Sequence, residues 1–210
     1  TDVSLAMETV FLDIADTAVS QTEAVSDVSI NKKRCKGCLV CFRICPHAAI
    51  ELLPGKRPCI QPAACYSCGL CLASCPAKAI ESERFENEVY TGTALTKKVV
   101  VFACERSGAL AAEQAGLQDI ITVKPVPCVC RMSSNIVLKA FEKGAGKVIL
   151  AGCHEKNCRS DKGADQAASV RREVARFPGI DIDDIQFLPV AANEGKRFEN
   201  FLKDSITINQ

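Results

Sequence analysis

The sequence predicts two domains of different class: a small α+β domain over residues 32–82, then an α/β domain with a largely parallel sheet over 98–210. Three observations carry that prediction. A seventeen-residue block occurs twice, thirty residues apart, and holds eight of the fourteen cysteines. β-branched runs then alternate with helical periodicity over about 110 residues, the pattern of strands joined by covering helices. The remaining cysteines cluster where that alternation ends its strands.

The totals set limits. A chain of 210 residues suffices for one or two domains with real cores. A formal charge of +1 gives no reason to expect nucleic acid. The charge is uneven: residues 1–31 hold six acids and no base, 32–96 nine bases and five acids, and 97–210 seventeen bases and fourteen acids. No apolar run approaches the ~18–20 residues of a membrane helix, so direct membrane insertion is not expected. The N-terminus lacks a basic region and an uninterrupted apolar stretch, so no secretory signal is read. The chain starts at Thr1 and not Met, and is expected to be processed or part of something longer.

Aligning "CKGCLVCFRICPHAAIE" (35–51) with "CYSCGLCLASCPAKAIE" (65–81) gives eight identities, including four cysteines, a proline and a terminal Ala-Ile-Glu. Each copy reads C-x2-C-x2-C-x3-C-P, the bacterial ferredoxin pattern. Three cysteines at intervals of three reach three irons of one cubane, and the fourth reaches the cluster of the other copy. One [4Fe–4S] cluster is therefore expected on Cys35, Cys38, Cys41 and Cys75, the other on Cys65, Cys68, Cys71 and Cys45. Pro46 and Pro76 fix the backbone after each crossing ligand, and Gly37 and Gly69 relax the loops. A zinc ribbon also uses C-x2-C pairs, but leaves half of these cysteines and both prolines unexplained. The block resembles two-cluster [4Fe–4S] ferredoxin domains, which implies two pseudo-symmetric β–α halves. Cys59 lies outside the pattern and is read as a small buried hydrophobe. The basic excess of 32–96 would either compensate anionic clusters or form a solvated face.

A charged connector (83–97) leads to the second domain. "KKVVVFAC" (97–104), "DIITVKPVPC" (119–128), "KVILAGC" (147–153) and "IQFLPV" (185–190) read as strands. "SSNIVLKAFEKG" (133–144) reads as a helix capped by Ser133 or Ser134, with Ile136, Val137, Ala140 and Phe141 on one face and Gly144 as its stop. "DQAASVRREVARF" (165–177) and "EGKRFENFLKDSI" (194–206) complete the helices. Cys104, Cys128 and Cys153 then follow three strands, and Cys158 lies in the loop after the third. Loops at the carboxyl ends of such strands share one edge, so four thiols are expected at one place. By count they suit zinc or a [2Fe–2S] cluster equally. Rieske ligation needs two histidines, and one of only two, His47, sits in the repeat.

"PCVCRMSSNIVLKAFEKGAGKVILAGCHEKNC" (127–158), with "VVVFACERSG" (99–108), resembles the delta subunit of methyl-viologen-reducing hydrogenase. That resemblance implies a [2Fe–2S] cluster on Cys104, Cys128, Cys153 and Cys158, with Cys130 as the alternate to Cys128, and electron delivery to heterodisulfide reductase. His154 is read as a loop side chain. Arg131 is read either as offsetting thiolate charge or as capping the next helix.

The acidic lead (1–31) carries Met7, Val10, Phe11, Ile14 and Ala18 at helical spacing. Its position resembles the tail of the flavin-binding part of the A-type subunit of heterodisulfide reductase. The expected function is an electron-transfer subunit relaying single electrons between a flavin or hydrogenase-type donor and a heterodisulfide-reductase-like partner, without chemistry on an organic substrate. Expected partners are a flavoprotein or heterodisulfide-reductase-like subunits and a hydrogenase or other donor. The expected home is a reducing cytoplasm, with any membrane association made through partner subunits. A zinc-bearing docking module and a thiol-dependent catalyst using Cys153 or Cys128 are the rival readings of the α/β domain. "GAGKVILAGC" enters a strand instead of leaving one and lacks G-K-[ST], so no phosphate loop is read.

Overall fold

The computed structural model describes residues 26–82 and 98–207. The apolar stripe of the lead and the connector 83–97 lie outside the described residues.

The second domain is organised by Lys147–Gly152, every residue of which is buried. A run apolar on both faces marks the centre of a parallel sheet. Strands β5 (Val99–Cys104), β6 (Thr122–Val126), β7 (Lys147–Gly152) and β8 (Ile185–Pro189) lie in the order β6-β5-β7-β8, each pair parallel. The two-residue period of the strands splits the core into two layers. Val100, Phe102, Val148 and Leu150 face Ile136 and Val137 of helix α4 (Ser134–Glu142) and Val170 of α5 (Gly163–Val174). Val101, Ala103, Ile149 and Ala151 face Ala111 of α3 (Gly108–Ala115) and Phe198 and Leu202 of α6 (Gly195–Thr207). Pro125 and Pro189 fall in the two outer strands, where a missing donor costs no central ladder bond. Lys147 is buried, and its Nζ donates to the carbonyl of Ser205 at 3.0 Å.

Two features differ from the expectation. Helix α3 was not expected, because "GALAAEQA" offers small residues and little contrast between faces. It is held by close approach: a Cβ on Gly108 would meet the carbonyl oxygen of Ala151 at 2.6 Å. Strand β6 spans Thr122–Val126 and not 119–128, since its pairing with β5 ends at Cys104 and Val126.

In the first domain β1 (Ser29–Ile30) pairs antiparallel with β4 (Ile80–Glu81), and β2 (Ile50–Leu53) with β3 (Arg57–Ile60). Short helices α1 (Val40–Ile44) and α2 (Leu70–Ser74) follow the cysteine loops. The domain thus begins within the segment assigned from sequence to the acidic lead. A two-residue strand has no periodicity by which to be seen.

The repeat persists in the backbone. Positive φ occurs at Gly37 and Ser67, at Leu39 and Gly69, and at Ala48 and Lys78, each pair thirty residues apart. Glycine meets that demand at one member of the first two pairs, while Ser67 and Leu39 adopt the left-handed region with a side chain.

Candidate metal centres

The first copy's loop wraps a cavity lined by Cys35, Cys38 and Cys41, and Cys75 of the second copy completes it. The second copy's loop wraps another, lined by Cys65, Cys68 and Cys71 together with Cys45 of the first. The exchange of fourth cysteines follows from the fold. Each short helix carries the chain from its own cavity to its neighbour's, and Pro46 or Pro76 lies just beyond at the cavity wall. Backbone amides of Ala49 and Ala79 donate to Cys45 Sγ and Cys75 Sγ, both at 3.3 Å. Such donors stabilise negative charge on sulfur. Burial pushes the thiols of Cys41, Cys68 and Cys71 above their ordinary range. Thiols that resist ionisation in an apolar pocket fit a cationic metal, because the metal supplies the charge that burial withholds.

The third group sits at the carboxyl edge of the sheet. The chain leaves β5 toward β6 and later returns to place β7 on β5's other side, so β5 and β7 flank a topological switch point where α/β sheets open a crevice. Cys104 ends β5 and Cys153 follows β7, with their sulfurs 3.9 Å apart. Cys128 follows β6, and Cys158 follows the turn Glu155–Asn157; the two thiols act electrostatically on one another. These four thiols line one cleft with Arg106 and Pro127.

The thiols are electrostatically unlike. The hydrogen bond with Cys104 holds Cys153 below its ordinary range, helped by Ser107 and Arg106, while Cys104 is pushed up. Contact with Cys130 pushes Cys128 up to about 11. Cys130 itself is fully buried and does not line the cleft. Among the described residues, no three cysteine, histidine or acidic side chains converge closely enough to hold one metal ion. Four thiols around a shared cleft are a donor set that suits a zinc ion or an iron–sulfur cluster.

The two domains meet between the second and third sites. Helix α2 packs against the turn Val129–Arg131, and Cys68 lies on both the second cavity and the third cleft. His47 and Tyr66 stack with centroids 4.4 Å apart, the Arg159 guanidinium lies 4.7 Å from the Tyr66 centroid, and Ser160 Oγ is 3.4 Å from His47 Nε2.

Sequence reasoning missed this contact and the roles of Arg106 and Ser107. Their positions just after Cys104 in "ACERSG" were the available signal. His154 bonds Glu194 at 2.7 Å and stays off the cleft wall. Arg131 is buried in the turn between Cys128 and α4. Cys59 is half-buried and not fully enclosed as expected, because β3 leaves it on a groove beside Lys32 and Arg57.

A ferredoxin-like domain with cysteine-walled cavities, joined to a four-stranded parallel sheet with thiols at its switch point, defines an iron–sulfur electron-transfer protein. Residues 99–209 match the family described as methyl-viologen-reducing hydrogenase, delta subunit, and the chain belongs to it. Residues 23–79 match the 4Fe-4S dicluster domain. Among curated proteins, the chain is 32% identical over 193 residues to the A-type subunit of the ferredoxin:CoB-CoM heterodisulfide reductase of Methanosarcina mazei, covering 84% of this chain and 24% of that protein. It is 31% identical, with the same coverage, to the A-type subunit of the ferredoxin/F(420)H(2)-dependent CoB-CoM heterodisulfide reductase of Methanosarcina acetivorans. It is 27% identical over 115 residues to the D-type iron-sulfur subunit of the F420-non-reducing hydrogenase vhc of Methanococcus voltae, covering 51% of this chain and 80% of that protein. The chain therefore spans about a quarter of the length of the two reductase subunits and most of the hydrogenase subunit. No helix among the described residues is long and apolar enough to cross a membrane.

Proposed function

We propose that this chain relays single electrons through three centres between a flavin or hydrogenase-type donor and a heterodisulfide-reductase-like partner. Cys35, Cys38, Cys41 and Cys75 would hold one [4Fe–4S] cluster, Cys65, Cys68, Cys71 and Cys45 the other, and Cys104, Cys128, Cys153 and Cys158 a [2Fe–2S] cluster. These clusters supply reversible one-electron oxidation and reduction when bound. The observation that carries the reading is the shared wall at Cys68: its cavity and the switch-point cleft adjoin, so the second and third sites are neighbours within one molecule.

The chain's own residues set the conditions for transfer. Apolar linings such as Val28, Ile60 and Leu70 keep water from the second site. The amides of Ala49 and Ala79 stabilise sulfur charge in the ferredoxin domain, and Ser107 and Arg106 do so at Cys153. Cys128 is the favoured ligand over Cys130, since it alone of the two lines the cleft. Thiolate sites of this kind suit a reducing cytoplasm, and the names of the relatives support reductase and hydrogenase subunits as partners.

The test is anaerobic iron, sulfide and zinc analysis with EPR during a stepwise reductive titration. The expected result is a rhombic [2Fe–2S] signal beside two interacting [4Fe–4S] centres. Cys153→Ser and Cys128→Ser should abolish the rhombic signal, and Cys130→Ala should retain it. One bound zinc with only two cluster signals would confine electron transfer to the ferredoxin domain.

A further inference from the structure

We infer that the loop around Cys38 is the docking face for an acidic electron-transfer protein, a reading that rests on the relay proposed above. Among the fourteen cysteines Cys38 is the exposed one. Lys32, Lys33, Arg34, Lys36 and Arg43 all lie within six residues of it in the sequence, and all five are exposed. Arg43 Nη2 donates to the Cys38 carbonyl at 3.3 Å, and Lys36 lines the Cys38 cavity. Arg34 pairs with Glu81, which the Asn31 amide also engages. Among the described residues no carboxylate forms an ion pair with Lys32, Lys33, Lys36 or Arg43. Phe42, 43% exposed, gives this basic rim an apolar element, the composition of an interface with a charged periphery.

The internal repeat supplies the control. Thirty residues on, the counterparts of the five bases are Pro62, Ala63, Ala64, Tyr66 and Ala73, and the counterpart of Phe42 is the buried Leu72. That uncharged face is the one against which the α/β domain packs, through Tyr66, Cys68 and α2. Two copies of one loop thus present different surfaces: one is neutral and partly covered by the α/β domain, the other cationic and, among the described residues, open. A cationic surface over a solvent-facing ligand selects a partner whose redox centre lies under an acidic surface, and steers its approach.

The experiment titrates the cluster-loaded full chain anaerobically, by calorimetry, with a plant-type [2Fe–2S] ferredoxin of strongly acidic surface. Binding is expected at about 20 mM salt and at least tenfold weaker at about 300 mM, where screening is short-ranged. Lys33→Glu combined with Lys36→Glu should weaken low-salt binding about tenfold or more, while Lys143→Glu, exposed on the α/β domain, should leave it unchanged. Iron content and EPR on the same samples separate loss of docking from loss of the clusters. Absence of low-salt binding by the loaded chain, or equal affinity in the loop variant, would overturn the inference. So would binding to phosphatidylserine vesicles in place of the ferredoxin, or carbodiimide cross-links in the chain alone from Lys33 or Lys36 to acids of residues 1–25.

Discussion

At the scale of single residues, Ser107 is the most informative side chain beside the third site. Its hydroxyl lies 3.3 Å from Cys153 Sγ. As a thiol Cys153 donates to that oxygen; as a metal-bound thiolate it can only accept, so the hydroxyl must turn and donate. A donor to sulfur favours the reduced, more negative state, and Ser107→Ala should therefore lower the reduction potential of the third centre. A net hydrogen bond of about 1 kcal/mol corresponds to ~40 mV in a one-electron couple, which an EPR-monitored titration resolves. An unchanged potential would mean that the hydroxyl turns away when the cluster is bound. The place of Ser107 just after Cys104 was the local sign, but its contact with Cys153 was not legible, because it joins residues far apart in the chain through a sheet edge. The grouping of the repeat's eight cysteines was legible, since their spacing is local and each loop supplies three of the four cysteines lining its own cavity.

At the scale of elements, the sheet was readable where burial is complete and obscure where it is not. β5 and β7 are apolar on both faces and could be picked out directly. The β2–β3 hairpin could not, because Leu52 and Leu53 are 40% and 44% exposed and break any inward–outward alternation. Helix α3 escaped notice for the opposite reason: its alanines serve close packing and leave almost no contrast to read. That packing makes Gly108 a sensitive position. Gly108→Ala would press a methyl against the Ala151 carbonyl and Cβ at 2.6 and 2.7 Å. Overpacking of this sort costs about 1–3 kcal/mol, seen as a lower midpoint in anaerobic denaturant unfolding. Since α3 follows directly from Cys104 and Ser107, the third-site EPR line should also broaden, while the ferredoxin signals stay as they are.

At the scale of the whole molecule, the contact between the domains decides which centres are neighbours. The Arg159–Tyr66 contact is solvent-accessible, with Tyr66 52% exposed, so it contributes about 0.5–1 kcal/mol. Tyr66→Ala should then speed amide exchange ~2–5-fold in α2 and the turn Val129–Arg131, with β7 unaffected. Equal protection in α2 would show that Leu70 and Leu72 hold the contact without the ring. One clue to this arrangement was visible beforehand, the loss of five bases between the first copy and the second. The neutral copy is the one against which the α/β domain packs. The cavities carry one more implication. Each takes its fourth cysteine from the opposite copy, so the duplication provides no spare: a chain stripped of either half would be left with three thiols at one site and a solitary one at the other. Oxidation of Cys45 alone would be felt across the domain at the loop of residues 65–71. On the ligation proposed above, the two centres would therefore mature, and fail, as a single inseparable unit.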